Sequence, residues 1–229
     1  MIRHLPNFLT CCNLLCGCLG IVFLLENRAV PVAYFVWIAC VFDFFDGFVA
    51  RMLKVASPIG KELDSLADVV SFGVLPAMVM YKMLDASSES EIIPYVGFMI
   101  AAFSALRLAI FNLDTRQSDS FIGLATPANS LFITGLPLLP ASVGAWLYQD
   151  WLLIAITFIF SLLLVSPLEL FALKFKNYSW SDNKLRFTFL AVAVLLIAVF
   201  KFSAIPLIIL FYIGLSLADV SLRKGSKKA

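Results

Sequence analysis

The feature that most limits how this chain can fold is the length of its apolar runs. A helix that crosses the hydrocarbon core of a bilayer needs about 20 consecutive, mostly apolar residues. Of the 229 residues, 62% are hydrophobic, whereas a soluble domain is only about 45–50% apolar. Most of this apolar surface must therefore face lipid. Eight runs are candidate spans: residues 8–25, 31–52, 62–83, 93–113, 128–148, 151–173, 187–200 and 203–221.

The basic residues predict how these spans are oriented. Cytoplasmic loops of membrane proteins carry an excess of Lys and Arg. With eight crossings and the N-terminus inside, fourteen of the 17 Lys and Arg residues fall on the cytoplasmic side, and Arg28, Lys82 and Lys201 fall on the other. The sequence therefore predicts an all-α membrane protein with about eight transmembrane helices and with both termini cytoplasmic.

Two further properties limit the function classes. The chain has no long linker, low-complexity segment or sequence repeat, so residues 1–229 are predicted to form a single membrane domain. Its net charge of +2 is too small to indicate binding to nucleic acid, which requires a strongly basic surface.

Cysteines crowd into the first apolar run and raise the alternative of a zinc site. Such sites usually take their ligands from polar loops and pair with a second cluster. Here the neighbours are Leu, Gly and Ile, and the single histidine, His4, stands apart. We expect small, inert packing residues. The five cysteines are Cys11, Cys12, Cys16, Cys18 and Cys40.

Four aspartates near the ends of two neighbouring spans indicate a functional site. Asp43 and Asp46 share one helical face, and Asp64 and Asp68 share another, so an antiparallel hairpin would bring the carboxylates together at the cytoplasmic surface. Ionisable groups in membrane helices are costly unless they are paired or functional. Interfacial capping would explain one such aspartate but not four in phase. Because Mg²⁺ prefers oxygen ligands and accepts substrate phosphates beside them, we predict a metal-bound pyrophosphate ester here.

The same aspartates lie in two short motifs separated by eight residues. The motifs read Asp43-Phe-Phe-Asp46-Gly47-Phe-Val-Ala50-Arg51 and Gly60-xxx-Asp64-xxx-Asp68. This pattern resembles the signature of the CDP-alcohol phosphotransferases, DxxDGxxAR followed by GxxxDxxxD, and it matches at every signature position. Prenyltransferases also bind diphosphates through aspartates, but their motifs come in two distant copies and lack the Gly-xx-Ala-Arg continuation.

Other stretches resemble one branch of that family, the bacterial phosphatidylserine synthases. The similarity lies in residues 6–17, 57–73, 107–112 and 121–129, with a short stretch at Val165-Ser166. Two positions depart from the pattern of that branch. Ile110 stands where those synthases have a second arginine, and Ala125 stands where they have a proline.

The resemblance implies a reaction and its cofactors. The phosphatidyl group of CDP-diacylglycerol would pass to the hydroxyl of L-serine with release of CMP, and two divalent ions, Mg²⁺ or Mn²⁺, would assist. It also implies a homodimer in the bacterial inner membrane, with the active site facing the cytoplasm. Asp68 would be the catalytic base and could also contact an ion. The implied metal ligands are Asp43, Asp46, Asp64 and Asp68.

The resemblance implies a nucleotide pocket, and the need for a cation at the serine carboxylate indicates a second pocket. For Gly47, Ala50 and Arg51, helix packing and positive-inside anchoring remain alternatives. For Asn7 and Thr10, helix capping remains an equal alternative. Arg107 would bind the serine carboxylate, although an ion pair with an active-site aspartate remains open. The predicted nucleotide and CDP-diacylglycerol contacts are Gly47, Ala50, Arg51, Gly60, Asn7 and Thr10. The predicted serine contacts are Arg107, Asn112, Thr126 and Asn129.

Two alternatives to serine transfer remain at this point. The acceptor could be glycerol 3-phosphate or choline, but the former calls for more cationic side chains and the latter for an aromatic or anionic cage. A divalent-cation transporter would place its carboxylates at mid-membrane on broken helices, whereas these carboxylates are predicted at the cytoplasmic edge.

Overall fold

The computed structural model describes residues 4–114, 120–171 and 179–226, and within these ranges the chain is mostly helical. Two short strands, Ser120–Ile122 and Glu169–Phe171, pair as an antiparallel ribbon with Phe121 opposite Leu170. The elements are α1 (Leu5–Leu25), α2 (Ala33–Met52), α3 (Pro58–Asp68), a π-helix (Val69–Val74), α4 (Leu75–Ser87), a 3-10 turn (Ile93–Phe98), α5 (Met99–Leu113), β1 (Ser120–Ile122), α6 (Thr126–Gly135), a 3-10 turn (Leu136–Leu138), α7 (Ala141–Leu147), α8 (Asp150–Val165), β2 (Glu169–Phe171), α9 (Trp180–Phe200), a 3-10 turn (Lys201–Ser203) and α10 (Ala204–Ser226).

Five helical stretches within the described ranges are long and apolar enough to cross a membrane. The first four coincide with the first four predicted spans, which confirms the prediction of a helical membrane protein. The stretches are Leu5–Leu25, Ala33–Met52, Pro58–Ser87, Ile93–Leu113 and Asn183–Ser221.

The predicted fifth and sixth spans are interrupted or shorter than expected. The run 128–148 is divided between α6 and α7, because Pro137 and Pro140 lack the backbone N–H that a continuous helix needs. Helix α8 ends at Val165 rather than at residue 173, since Ser166 precedes Pro167 and the residue before a proline is disfavoured in helix.

The last apolar stretch reverses direction at Lys201, which has a positive φ of 52°. The ring of Phe189 on α9 lies 6.2 Å from that of Phe211 and 5.8 Å from that of Tyr212 on α10. Helices α9 and α10 therefore form an antiparallel hairpin, in agreement with two separate predicted runs. The total of eight crossings and the cytoplasmic location of the termini remain predictions.

The molecule has two distinct ends. The ring of Phe202, in the turn between α9 and α10, lies 4.9 Å from that of Trp37, and Ser203 Oγ donates a hydrogen bond to the Leu138 carbonyl. The start of α2 and the α9–α10 turn therefore share one end, and the aspartate motifs lie toward the other. This arrangement agrees with the predicted separation of Arg28 and Lys201 from most other basic residues. Arg116, Lys174 and Lys176, predicted on the cytoplasmic side, lie outside the described residues.

Helix α1 packs closely against the third apolar stretch. A Cβ on Gly17 would lie 2.6 Å from Ser71 Oγ and 2.8 Å from Ser71 Cα, so only glycine allows this approach. Ser71 Oγ in turn donates a hydrogen bond to the Asn13 carbonyl at 2.8 Å. The five cysteines are free thiols, with Cys16 buried and Cys11 and Cys18 exposed.

Candidate active site

The two aspartate motifs come from helices that α1 brings together. Helix α1 packs against both α2 and α3, so it holds the two motifs next to each other. Helix α3 begins after Ser57, whose Oγ accepts a hydrogen bond from the Gly60 N–H at 3.1 Å, and Pro58 occupies its first turn. This cap places Gly60 at the start of the helix that carries Asp64 and Asp68.

Three aspartates form an acidic cluster. One carboxylate oxygen from each of Asp43, Asp64 and Asp68 lies within 4.8 Å of the other two. Asp64 Oδ1 is buried and has no hydrogen-bond partner in the described part of the chain. Within that same part, no lysine or arginine forms an ion pair with these carboxylates. Uncompensated carboxylate oxygens at this spacing fit a hard divalent cation.

Asp46 stands beside this cluster rather than within it. Its Oδ2 accepts a hydrogen bond from Thr10 Oγ1 at 2.6 Å, and its side chain is buried. Asp46 therefore points toward α1, and its predicted role as a metal ligand remains a prediction.

An open cavity of about 230 Å³, the nucleotide-sized cavity, is lined in part by Asp46 and Asp64. A Cβ on Gly47 would lie 3.2 Å from Arg51 Nη1, and one on Gly60 would lie 3.2 Å from Asn7 Oδ1, so both glycines keep this space free. All six predicted nucleotide contacts line the cavity. Its lining residues are Pro6, Asn7, Thr10, Asp46, Gly47, Ala50, Arg51, Val55, Ala56, Ser57, Gly60, Lys61 and Asp64.

Capping does not explain the polar residues at the start of α1. The helix begins at Leu5 and His4 occupies the N-cap, so Asn7 and Thr10 lie inside the helix. The Thr10 hydroxyl donates to Asp46 and also lies 3.1 Å from the Pro6 carbonyl oxygen.

A second, smaller cavity of about 70 Å³, the Arg107 cavity, is lined in part by Arg107. This side chain is 7% exposed, its Nη1 donates to Thr126 Oγ1 at 3.4 Å, and its guanidinium carbon lies 5.1 Å from the centre of the Phe111 ring. Asp114 and Ser166 also line the cavity. Arg107 is close enough to Asp68 for an electrostatic interaction, yet no ion pair within 4.0 Å joins them. The cavity therefore brings a buried cation and a carboxylate together.

The other two predicted serine contacts differ from each other. Asn129 is fully buried one turn along α6 from Thr126, and neither of its amide atoms has a hydrogen-bond partner among the described residues. Asn112 instead faces α3. Its Nδ2 donates a hydrogen bond to Ser65 Oγ at 2.8 Å, and its backbone carbonyl accepts one from Lys61 Nζ at 2.8 Å.

A sequence model of the CDP-alcohol phosphatidyltransferases matches residues 3–163, which include the acidic cluster and both cavities apart from the last turn of α8. The chain belongs to this family. Family members generally depend on divalent metal ions, and the acidic cluster fits such ions.

Several curated relatives are named CDP-diacylglycerol–serine O-phosphatidyltransferase. The protein from Bacillus subtilis is 36% identical over 129 residues, which are 55% of this chain and 70% of that protein. The protein from Mycobacterium leprae is 32% identical over 177 residues, 74% of this chain and 58% of the relative. The protein from Methanocaldococcus jannaschii is 35% identical over 131 residues, 57% of this chain and 59% of the relative. For the last two, the match therefore covers less than two thirds of the relative.

Several residues that line the two cavities were not among the predicted site residues. Lys61 and Ser57 line the nucleotide-sized cavity, and both lie within the stretch 57–73 whose similarity to synthases was visible. Ser166 lies in another such stretch. Phe111 lies in the similar stretch 107–112. Asp114 gave no signal, because its proximity to Ser166 depends on how α5 packs against α8.

Proposed function

We propose that this chain transfers the phosphatidyl group of CDP-diacylglycerol to the hydroxyl of L-serine and releases CMP. Family membership supports the donor and the reaction type. The observation that carries the acceptor is the Arg107 cavity, whose lining in the described part of the chain includes the cation Arg107 and the carboxylate Asp114, and Arg107 also interacts electrostatically with Asp68. Serine is a zwitterion, so its carboxylate is complementary to Arg107 and its ammonium group to Asp114.

The donor nucleotide occupies the cavity between α1, α2 and the start of α3. Gly47 and Gly60 leave room for the pyrophosphate to approach the backbone. Arg51 binds a phosphate oxygen, since a guanidinium presents several donors to such a group. The acyl chains remain in the bilayer, next to exposed apolar side chains of α1 and α2 such as Phe8, Phe44 and Phe48.

Asp43, Asp64 and Asp68 hold the divalent cations, Mg²⁺ or Mn²⁺, with Asp46 as the fourth predicted ligand. When bound, two such ions neutralise the charge that develops on the leaving phosphate. The carboxylates themselves bind the ions and keep the reacting groups in one place. The unpartnered, buried Asp64 oxygen supports this role.

The transfer is a single displacement at phosphorus. The serine hydroxyl oxygen forms a bond to the phosphorus that carries diacylglycerol, and the bond from that phosphorus to the oxygen shared with CMP breaks. CMP leaves with the electron pair of the broken bond. Asp68 accepts the proton of the serine hydroxyl, which requires a hydrogen-bond distance between the two groups.

Arg107 binds the serine carboxylate and sets the choice of acceptor. Thr126, which contacts Arg107, and Ser166 add hydrogen bonds, and Asp114 attracts the ammonium group. Asn129 does not line this cavity, and its contact with serine remains a prediction from the sequence. Glycerol 3-phosphate brings a doubly charged phosphate, which Arg107, the one cation in the described lining of the cavity, matches poorly. Choline lacks a carboxylate, so it would offer Arg107 no substrate anion to bind.

The location and assembly of the protein form part of the proposal. We place it in a bacterial inner membrane with the acidic cluster facing the cytoplasm, which the charge distribution of the sequence supports. The packing of α10 against α6 and β2 supports one domain for residues 1–229. The homodimer rests on the family resemblance alone.

The experiment is CMP release by the purified protein from CDP-diacylglycerol, with serine, glycerol 3-phosphate, choline or no alcohol, each with and without Mn²⁺ or Mg²⁺. We expect release to require both serine and metal, and Asp68→Asn to lower it about 10²- to 10⁴-fold. Release with another alcohol would overturn the acceptor. No release under any condition, with metal still bound, would overturn the enzymatic function and favour transport.

A further inference from the structure

Helix α1 carries two neutral hydrogen-bond donors that reach one aspartate of each motif. Thr10 Oγ1 donates to Asp46 Oδ2 at 2.6 Å, and Asn13 Nδ2 donates to Asp68 Oδ1 at 3.0 Å. The two donors are three residues apart and therefore lie on one face of the helix. Both are buried, and Asn13 is 0% exposed, so water does not compete for the contact between Asn13 and Asp68.

The backbone at Asn13 is held in place from a second direction. Its carbonyl accepts a hydrogen bond from Ser71 Oγ, in the π-helix that follows Asp68. One turn further along α1, Gly17 lies against the backbone of the same serine. Because α1 and the π-helix are in backbone contact here, the main chain at Asn13 is held at a distance from which its amide reaches Asp68.

The chemistry of these donors suits a carboxylate that must keep its charge. A lysine or arginine at this position would neutralise Asp68 and compete with a bound cation, whereas an amide orients the carboxylate and leaves its charge unchanged. Groups that bind metals are commonly oriented by outer hydrogen bonds of this kind. The Asn13 Oδ1 atom has no partner among the described residues, so the donor group alone accounts for the direction of the side chain.

We propose that Asn13 is a positioning residue that orients Asp68 through Oδ1, leaving the other carboxylate oxygen for the serine hydroxyl and the cation. Its part in catalysis rests on the proposed function, and its part in cation binding does not. Thr10 orients Asp46 in the same way. Helix α1 thus contributes to the chemistry of the site as well as to the nucleotide-sized cavity.

The test compares Asn13→Leu, which has a similar volume and no donor, with the control Ser71→Ala. The control removes the hydrogen bond to the Asn13 carbonyl and keeps the one to Asp68. We expect Asn13→Leu to lower kcat for serine-dependent CMP release about 10- to 100-fold. In Asn13→Leu, the KM values for serine and for CDP-diacylglycerol should change by no more than about threefold. Ser71→Ala should change kcat by no more than about threefold. Asn13→Gln, which keeps the amide donor, should recover part of the lost kcat.

A second readout is independent of the acceptor. Mn²⁺ binding to the substrate-free protein in nanodiscs, followed by electron paramagnetic resonance, should weaken about tenfold in Asn13→Leu and remain unchanged in Ser71→Ala. If Asn13→Leu does not give folded protein, Asn13→Ala, which cannot clash, carries the same prediction.

The outcomes separate this inference from the proposed function. If the wild type releases no CMP with serine but Asn13→Leu weakens Mn²⁺ binding, the proposed function fails and the positioning role stands. If folded Asn13→Leu matches the wild type in kcat and in Mn²⁺ binding, the positioning role is wrong. Equal losses in Asn13→Leu and Ser71→Ala would also overturn it, because they would indicate a purely structural role.

Discussion

The acidic cluster and the Arg107 cavity hold their charges in opposite ways. Asp43 and Asp64 have no ion-pair partner in the described chain, and Asp64 also lines the open cavity. Neutral donors contact the neighbouring Asp46 and Asp68. Arg107 instead lies in a small cavity, against the Phe111 ring and near a carboxylate. Excess negative charge suits incoming cations, to which a pyrophosphate can then bind, whereas a cation and a carboxylate together in a small space suit a small zwitterion.

Removal of a carboxylate from the cluster should have the largest effect. We expect Asp64→Asn to lower CMP release about 10³-fold, because a lost metal ligand removes several kcal/mol of transition-state stabilisation. Mn²⁺ binding by the substrate-free protein should weaken in parallel. If the variant loses activity with unchanged Mn²⁺ binding, the cluster does not hold the cation as described.

A change at Arg107 should affect the acceptor and leave the donor unaffected. We expect Arg107→Leu to raise the serine KM about 100-fold, since loss of a buried charge partner costs about 2–5 kcal/mol. The KM for CDP-diacylglycerol should stay near that of the wild type. Arg107→Lys keeps the charge and loses the planar fork of donors, so it should recover only part of the affinity. Equal changes in both KM values would remove the distinction between the two sites.

A smaller and reciprocal effect is expected in the nucleotide-sized cavity. Gly47→Ala places a methyl group 3.2 Å from Arg51 Nη1. It should raise the KM for CDP-diacylglycerol about tenfold, a loss of about 1.4 kcal/mol, with little change for serine. Gly214→Ala is the matched control, because a Cβ there meets no atom within 4 Å. An increase in the serine KM instead would place serine in the larger cavity.

The two regions also differ in how far the sequence predicts them. The acidic motifs occupy residues 43–68, and helical periodicity alone places Asp64 and Asp68 on one face, so their proximity could be predicted. The Arg107 cavity joins residues far apart in the chain. Asn112, five residues after Arg107, lies on another side of α5 and contacts Ser65, which only the packing of α3 against α5 decides.

The contribution of α1 could not be predicted for a similar reason. The sequence indicated a hairpin of the second and third spans, whereas α1 packs against both. Asn13 appeared only within a stretch similar to synthases, because its partner Asp68 is 55 residues away. Among the spans, the first four were predicted well. Pro137 and Pro140 interrupt the fifth run despite its apolar composition.

The most direct test of the central claim follows the serine oxygen itself. The purified protein is given CDP-diacylglycerol, Mn²⁺ and serine labelled with ¹⁸O in its hydroxyl group, and both products are analysed by mass spectrometry. Attack by the serine hydroxyl at phosphorus predicts one ¹⁸O atom in the phospholipid product and none in CMP. Unlabelled phospholipid, or CMP formed together with phosphatidic acid whether or not serine is present, would contradict the account.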